Sequence, residues 1–172
     1  AGVPDKYNTL VAQRHDFVPV VDERDTFYND MIYRKRVSLN TIGKPLPPKV
    51  AHRAHPDVVV PQGNHWAELP GESHCIANEV DIFHFPIRRY SQFTNKIVKG
   101  GQAYERNKTA SGNVGGTWKT LYEEFKRNGL VEFYKKQSVS PEQLAESLNS
   151  GELLSDRRLA DFLSRLPFAA AR

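Results

Sequence analysis

A single cysteine, Cys75, excludes an internal disulfide and a cysteine-rich zinc site, and a reducing, cytoplasmic compartment is the simpler expectation. Long apolar runs are also missing. None approaches the ~20 residues a bilayer span needs, and no signal peptide opens the chain, so no transmembrane segment is expected. Charge of one sign is not in large excess: 24 Lys and Arg stand against 20 Asp and Glu, a net +4. The basic runs Arg34-Lys35-Arg36, Lys135-Lys136 and Arg157-Arg158 are short and separated, which reads as solvated helix faces and leaves no nucleic-acid partner in view. The glycine-rich stretch 107–116 lacks the spacing of a phosphate loop or a dinucleotide fingerprint. The first residues, Ala-Gly-Val-Pro without methionine, suggest a piece that starts inside something larger.

What is present is one domain's worth of chain, 172 residues, enough for its own core. Residues 1–21 carry few periodic signals, with Val18-Pro19-Val20-Val21 at best a short edge strand. Asp22 is positioned to cap a helix running towards Arg36, with Phe27, Tyr28, Met31 and Ile32 at helical spacing. Gly43 and the prolines at 45, 47 and 48 form a rigid connector. Short strands are expected at 49–53 and 58–60, joined by the turn signal His55-Pro56-Asp57. His52 and His55 make a His-x-x-His pair, but a zinc site needs three or four converging ligands, so they are not read as one.

Gly63-Asn64 permits a tight reversal that presents His65 and Trp66 at a strand end. They read either as a turn histidine beside a half-buried indole or as contacts to a metal, phosphate or sugar. A polar loop is expected over 67–79.

Residues 80–93 then read as a buried strand delivering His84, Arg88 and Arg89 to the mouth of a helix capped by Ser91. That helix is expected over 91–107, with Phe93, Ile97 and Tyr104 on one side. Gly100 and Gly101 inside it each cost ~1 kcal/mol relative to alanine, which calls for a close approach by another backbone or a bulky ligand, or for a break. Thr117 is expected to cap a helix with the stripe Trp118, Leu121, Tyr122, Phe125, and Gly129 to end it in the left-handed region. A short helix follows from Leu130, then one opened by the capping box Ser140-Pro141-Glu142-Gln143 and closed by Gly151. A last helix is expected from Ser155-Asp156 with Leu159, Phe162, Leu163 and Leu166 on one face.

The order His84, Phe85, Pro86, Arg88, Ser91, Gln92-Phe93, Lys96, Gly100-Gly101, preceded by Pro48-Lys49-Val50 and Gly63-Asn64-His65, resembles the C-terminal region of family-2-like glycosyltransferases of the GT-A fold. The resemblance covers roughly residues 17–135 and departs at Arg89, where serine is usual. It implies an α/β fold (α+β if taken alone): a few short strands from the C-terminal half of a GT-A sheet, flanked and followed by helices. Residues 1–136 would be the metal and acceptor side of the catalytic domain, and 137–172 a helical extension.

The same resemblance implies transfer of a sugar from a nucleotide-sugar donor to a sugar or glycan acceptor, assisted by Mn²⁺ or Mg²⁺. His84 and His65 are the implied metal ligands, and Arg88 and Lys96 the diphosphate contacts. Trp66 would stack on an acceptor sugar. Lys96 also reads as a plain exposed helix charge. No Asp-x-Asp pair occurs in the sequence, so the chain by itself is expected to be inactive, with the general base unassigned. The alternative is a non-catalytic protein-binding module using the Leu159, Phe162, Leu166 face. Oligomeric state is left open.

Overall fold

The computed structural model describes residues 3–20, 26–39, 44–107 and 115–166. Its elements run β1 (Thr9–Asp16), α1 (Phe27–Asp30), β2 (Tyr33–Lys35), β3 (Lys49–His52), β4 (His74–His84), α2 (Tyr90–Arg106), α3 (Gly116–Lys126), α4 (Leu130–Gln137), α5 (Pro141–Ser150), β5 (Leu153–Ser155) and α6 (Arg158–Ser164). The content is mixed α/β, with six helices and two small sheets among the described residues. Among these residues no helix is long and apolar enough to cross a membrane. Contacts divide the chain into one unit of Ala1–Asp16 with Lys35–His84 and another of Phe17–Arg34 with Phe85–Arg172.

The first unit is built on a three-stranded sheet in the order β3-β1-β4. β1 runs antiparallel to β3, with Val11 opposite Val50, and parallel to β4, with Thr9 opposite His74 and Asp16 opposite His84. Between Ala12 and Gln13 the β4 partner jumps from Ala77 to Asp81, so three residues of β4 bulge out of the ladder. Alternation puts Val11 and Val50 on one face, where they pack with Ala67, Leu69 and Val58. The segment supplying those residues folds back on itself through the bridge of Val59 with Glu68. Arg14, Asp16 and His84 point to the opposite face.

Two expectations change in this unit. The strand at 58–60 is reduced to that one bridge, and the polar loop at 67–79 ends early because β4 begins at His74. Asn8 fixes that beginning: its backbone N–H donates to the Ser73 carbonyl, and its side-chain carbonyl accepts from the Ser73 N–H at 3.0 Å.

In the second unit α2, α3 and α4 enclose a core of Phe93, Ile97, Leu121, Tyr122 and Leu130, joined by Ile87, Trp118, Phe125 and Phe133. Gly100 and Gly101 do not break α2. A Cβ at Gly100 would overlap the Trp118 ring and one at Gly101 the Tyr122 ring, so the glycines let α3 approach closely. The close neighbour is therefore aromatic side chains of the chain itself.

Several helix ends differ from expectation. Arg89, not Ser91, is the N-cap of α2, and Gly115, not Thr117, that of α3. Asn128, with φ of 59°, takes the left-handed position after α3, whereas Gly129 is right-handed. Ser140 and Gln143 form the expected capping box, and Gly151 closes α5 at φ 75°.

The expected helix at 22–36 is a single turn, Phe27–Asp30, followed by β2, whose first two residues belong to this unit and which pairs with β5. Its expected cap, Asp22, lies outside the described residues, as do Val21 and 108–114. The pairing also moves the start of the last helix. Asp156 accepts from Arg158 instead of opening a turn at Ser155, and α6 begins at Arg158. Ala160 is the buried residue of α6, and Phe162 is 60% exposed.

Candidate functional site

At the carboxyl ends of the parallel pair β1 and β4, His84 Nδ1 lies 2.6 Å from Asp16 Oδ1. The register explains the meeting, because the two residues are direct partners on one face of the sheet. The backbone N–H of Asp16 donates to Ser38 Oγ at 3.0 Å, and Arg14 Nε stands 3.7 Å from the same carboxylate oxygen. That Nε is buried and makes no hydrogen bond. Lys49 responds to the same cation: its pKa is lowered, first by burial and then by Arg14. On the other face His15 Nε2 pairs with Asp81 Oδ1 at 2.8 Å.

His65 is committed elsewhere. Its Nδ1 is 2.8 Å from the Pro48 carbonyl, and its ring covers Gly63, where a Cβ would lie 2.7 Å away. Lys49 Nζ donates to the Gly63 carbonyl and Val50 N–H to that of Asn64, which ties the turn to β3. Lys49 stands opposite Ala12, four residues before Asp16, which places the turn about 13 Å short of the His84 level at ~3.3 Å per residue. Trp66 is 44% exposed and tilts against His74, with ring centroids 5.1 Å apart. His74 and His84 are opposite Thr9 and Asp16, a separation of about 23 Å along the sheet at that same rise. Trp66 and His84 therefore belong to different ends of the first unit.

The Mn²⁺ or Mg²⁺ expected at His84 and His65 meets no shared ligand set among the described residues. Among the described residues no group of three His, Cys, Asp or Glu is placed to hold a metal. Asp16 Oδ1 is engaged by His84 Nδ1, and His65 Nδ1 by the Pro48 carbonyl. A hard divalent cation needs several converging oxygens, which these residues do not bring together.

In the second unit, Arg88 and Lys96 flank the first turn of α2. The Arg88 guanidinium lies over the Phe27 ring, 5.0 Å from its centroid, and Phe27 is held edge-on by Phe85. The Lys96 ammonium donates to the Pro86 carbonyl at 3.0 Å and sits 5.5 Å from the centroid of Trp118. Although the residue as a whole is exposed, its amino group is drawn in. Its pKa is lowered, first by burial and then by Arg88. Neither cation has a carboxylate partner among the described residues. The N-terminus of α2 adds its own partial positive charge, with no side chain capping it. Two mutually repelling cations at an uncapped helix start form a place where an oxyanion lowers the energy.

Searches against protein-family models, characterised proteins and solved structures find no match. The chemistry rests on the residues themselves.

The sequence singled out His84, Arg88 and Lys96 but passed over Asp16 and Arg14. A usable signal was there: Leu10-Val11-Ala12 running into Arg14 and Asp16 is a strand that turns from apolar to charged at its carboxyl end. In open α/β sheets, ligands gather at that end.

Proposed function

We propose that the chain is the acceptor-side part of a glycosyltransferase, with Arg88 and Lys96 receiving the diphosphate of a nucleotide-sugar donor. The observation that carries this reading is the cation pair at the start of α2, which has no carboxylate counter-charge among the described residues. When a glycosyl bond to a nucleoside diphosphate breaks, negative charge builds on the leaving diphosphate, and fixed cations aimed at it stabilise the transition state. Arg88 offers a planar fork for two oxygens, and Lys96, from the second turn of α2, a point charge. Its stacking on Phe27 holds the Arg88 guanidinium in place before the ligand arrives.

The chain has two tryptophans, so Trp66→Phe leaves Trp118, beside Lys96, as the only indole. Titration of that variant with UDP and UDP-glucose is expected to give saturable quenching. Arg88→Ala or Lys96→Ala removes charge-assisted hydrogen bonds worth about 1.5–3 kcal/mol each, a loss of roughly 10- to 150-fold in affinity. Unchanged emission, or equal affinity in Arg88→Ala, defeats the reading.

A protein-binding module remains the second reading because Phe162 is 60% exposed on α6. Leu159, Leu163 and Leu166 are half-buried, so that surface presents one aromatic ring rather than a full stripe.

A further inference from the structure

In neutral imidazole one ring nitrogen carries the proton and the other a lone pair, and the partner of the first decides which is which. For His84 that partner is a carboxylate at 2.6 Å from Nδ1. A carboxylate only accepts, so neutral His84 keeps its proton on Nδ1 and offers a lone pair at Nε2. Free imidazoles prefer the opposite arrangement, so the tautomer is imposed by Asp16. The carboxylate is itself well placed to do this. Its side chain is 14% exposed against 36% for His84, its backbone is anchored to Ser38, and Arg14 Nε stands 3.7 Å from the same oxygen.

We infer that Asp16 is a positioning residue that turns His84 Nε2 into an acceptor for a sugar hydroxyl of the glycosyl acceptor. In the neutral ring that lone pair does not bond the oxygens of a fully ionised phosphate, which also only accept. A resident metal at Nε2 would need further ligands beside it, and no group of three ligating side chains exists among the described residues. A group that brings its own proton is left, and sugars are dense in such groups. The identity of the ligand rests on the glycosyltransferase reading, whereas the tautomer does not.

The test uses the full chain labelled with ¹⁵N, at mildly alkaline pH where ordinary histidines are neutral. Long-range ¹H–¹⁵N spectra report the proton position in each ring, and His84→Gln assigns the signals. Nδ1 is expected to carry the proton in the wild type and in Asp16→Asn, whose amide oxygen still accepts. Asp16→Leu is expected to reverse the tautomer. A mixture of methyl glycosides then shifts the His84 Nε2 resonance in the first two proteins and not in the third, and neither inorganic phosphate nor Mn²⁺ affects that nitrogen selectively.

A proton found on Nε2 in the wild type overturns the inference, as does an Nε2 indifferent to glycosides or selectively broadened by Mn²⁺. These measurements need only the wild type if a variant fails to fold. Nucleotide binding at Trp118 is read separately. Loss of UDP binding with an intact glycoside response sinks the transferase reading alone, and the reverse outcome sinks the role of Asp16 alone.

Discussion

Arg34 and Asp156, 122 positions apart, meet at 2.8 Å between Nε and Oδ2. The same carboxylate accepts from Arg158 at 2.6 and 2.9 Å, and the Asp156 N–H donates to the Ile32 carbonyl at 2.7 Å. One buried residue thus joins the segment around β2 to the start of α6.

Asp156→Ala is expected to destabilise the chain by about 2–3 kcal/mol, because it strands a half-buried guanidinium at Arg34, while the more exposed Arg158 contributes little. The Asp156 carboxyl is held well below the usual range, first by Arg158 and then by Arg34, against the opposing effect of burial. A depressed folded value means the stabilisation is complete above the unfolded value of about 3.9 and is lost as pH falls below it. Urea midpoints of wild type and variant are therefore expected to converge in acid. A gap that stays constant from neutral pH into acid contradicts this account.

Gly101→Ala tests the seat of α3 on α2. Helix propensity alone favours alanine by ~1 kcal/mol, but the added methyl overlaps Tyr122 in a core where overpacking costs about 1–3 kcal/mol. Net destabilisation is expected. In Gly101→Ala/Tyr122→Ala the added methyl should cost less than it does alone, because the double variant removes the ring it strikes. Additive losses in that cycle would show that the glycine is needed for another reason.

Ser140→Ala removes one half of a reciprocal cap, the bond from Gln143 N–H to Ser140 Oγ, while the backbone N–H at position 140 keeps its bond to the Gln143 side chain. A loss of ~1 kcal/mol is expected, confined to α5. Amide exchange should quicken at Gln143 and Leu144 and stay unchanged in α3. Uniform quickening across both helices would place the effect elsewhere.

That cap was legible in the sequence because its partners lie three residues apart. The stripe of α3 and the helix after β4 were legible for the same reason, since 3.6-residue periodicity is local. β1 was not. Its partners lie at 49–52 and 74–84, and a strand that mixes Gln13, Arg14 and His15 into its second half loses the alternation that marks a strand, leaving only the turn from apolar to charged residues as a signal. The helix expected at 22–36 failed similarly: helical spacing of Phe27, Met31 and Ile32 was real, but Tyr33–Lys35 gains more by pairing with β5. Of the candidate sites, His84 was visible and the carboxylate that orients it was not, because 68 positions separate them.

Lys96 gives the sharpest test of the cation pair. Burial and Arg88 both push its pKa down, so its amine should titrate at lower pH than the exposed lysines. In ¹³C-methylated protein, Arg88→Gln is expected to raise the Lys96 value by removing the repulsion, and UDP to raise it further by supplying the opposite charge. Linkage fixes the sign for binding: a ligand that raises a pKa binds the protonated form better. UDP affinity should therefore fall as pH climbs through the Lys96 titration, before ordinary lysines lose their protons. Lys96→Arg abolishes that fall, because a guanidinium keeps its proton throughout, while Lys96→Met abolishes it and weakens binding at neutral pH as well. An affinity that falls equally in wild type and Lys96→Arg assigns the pH dependence to another group and removes Lys96 from the site.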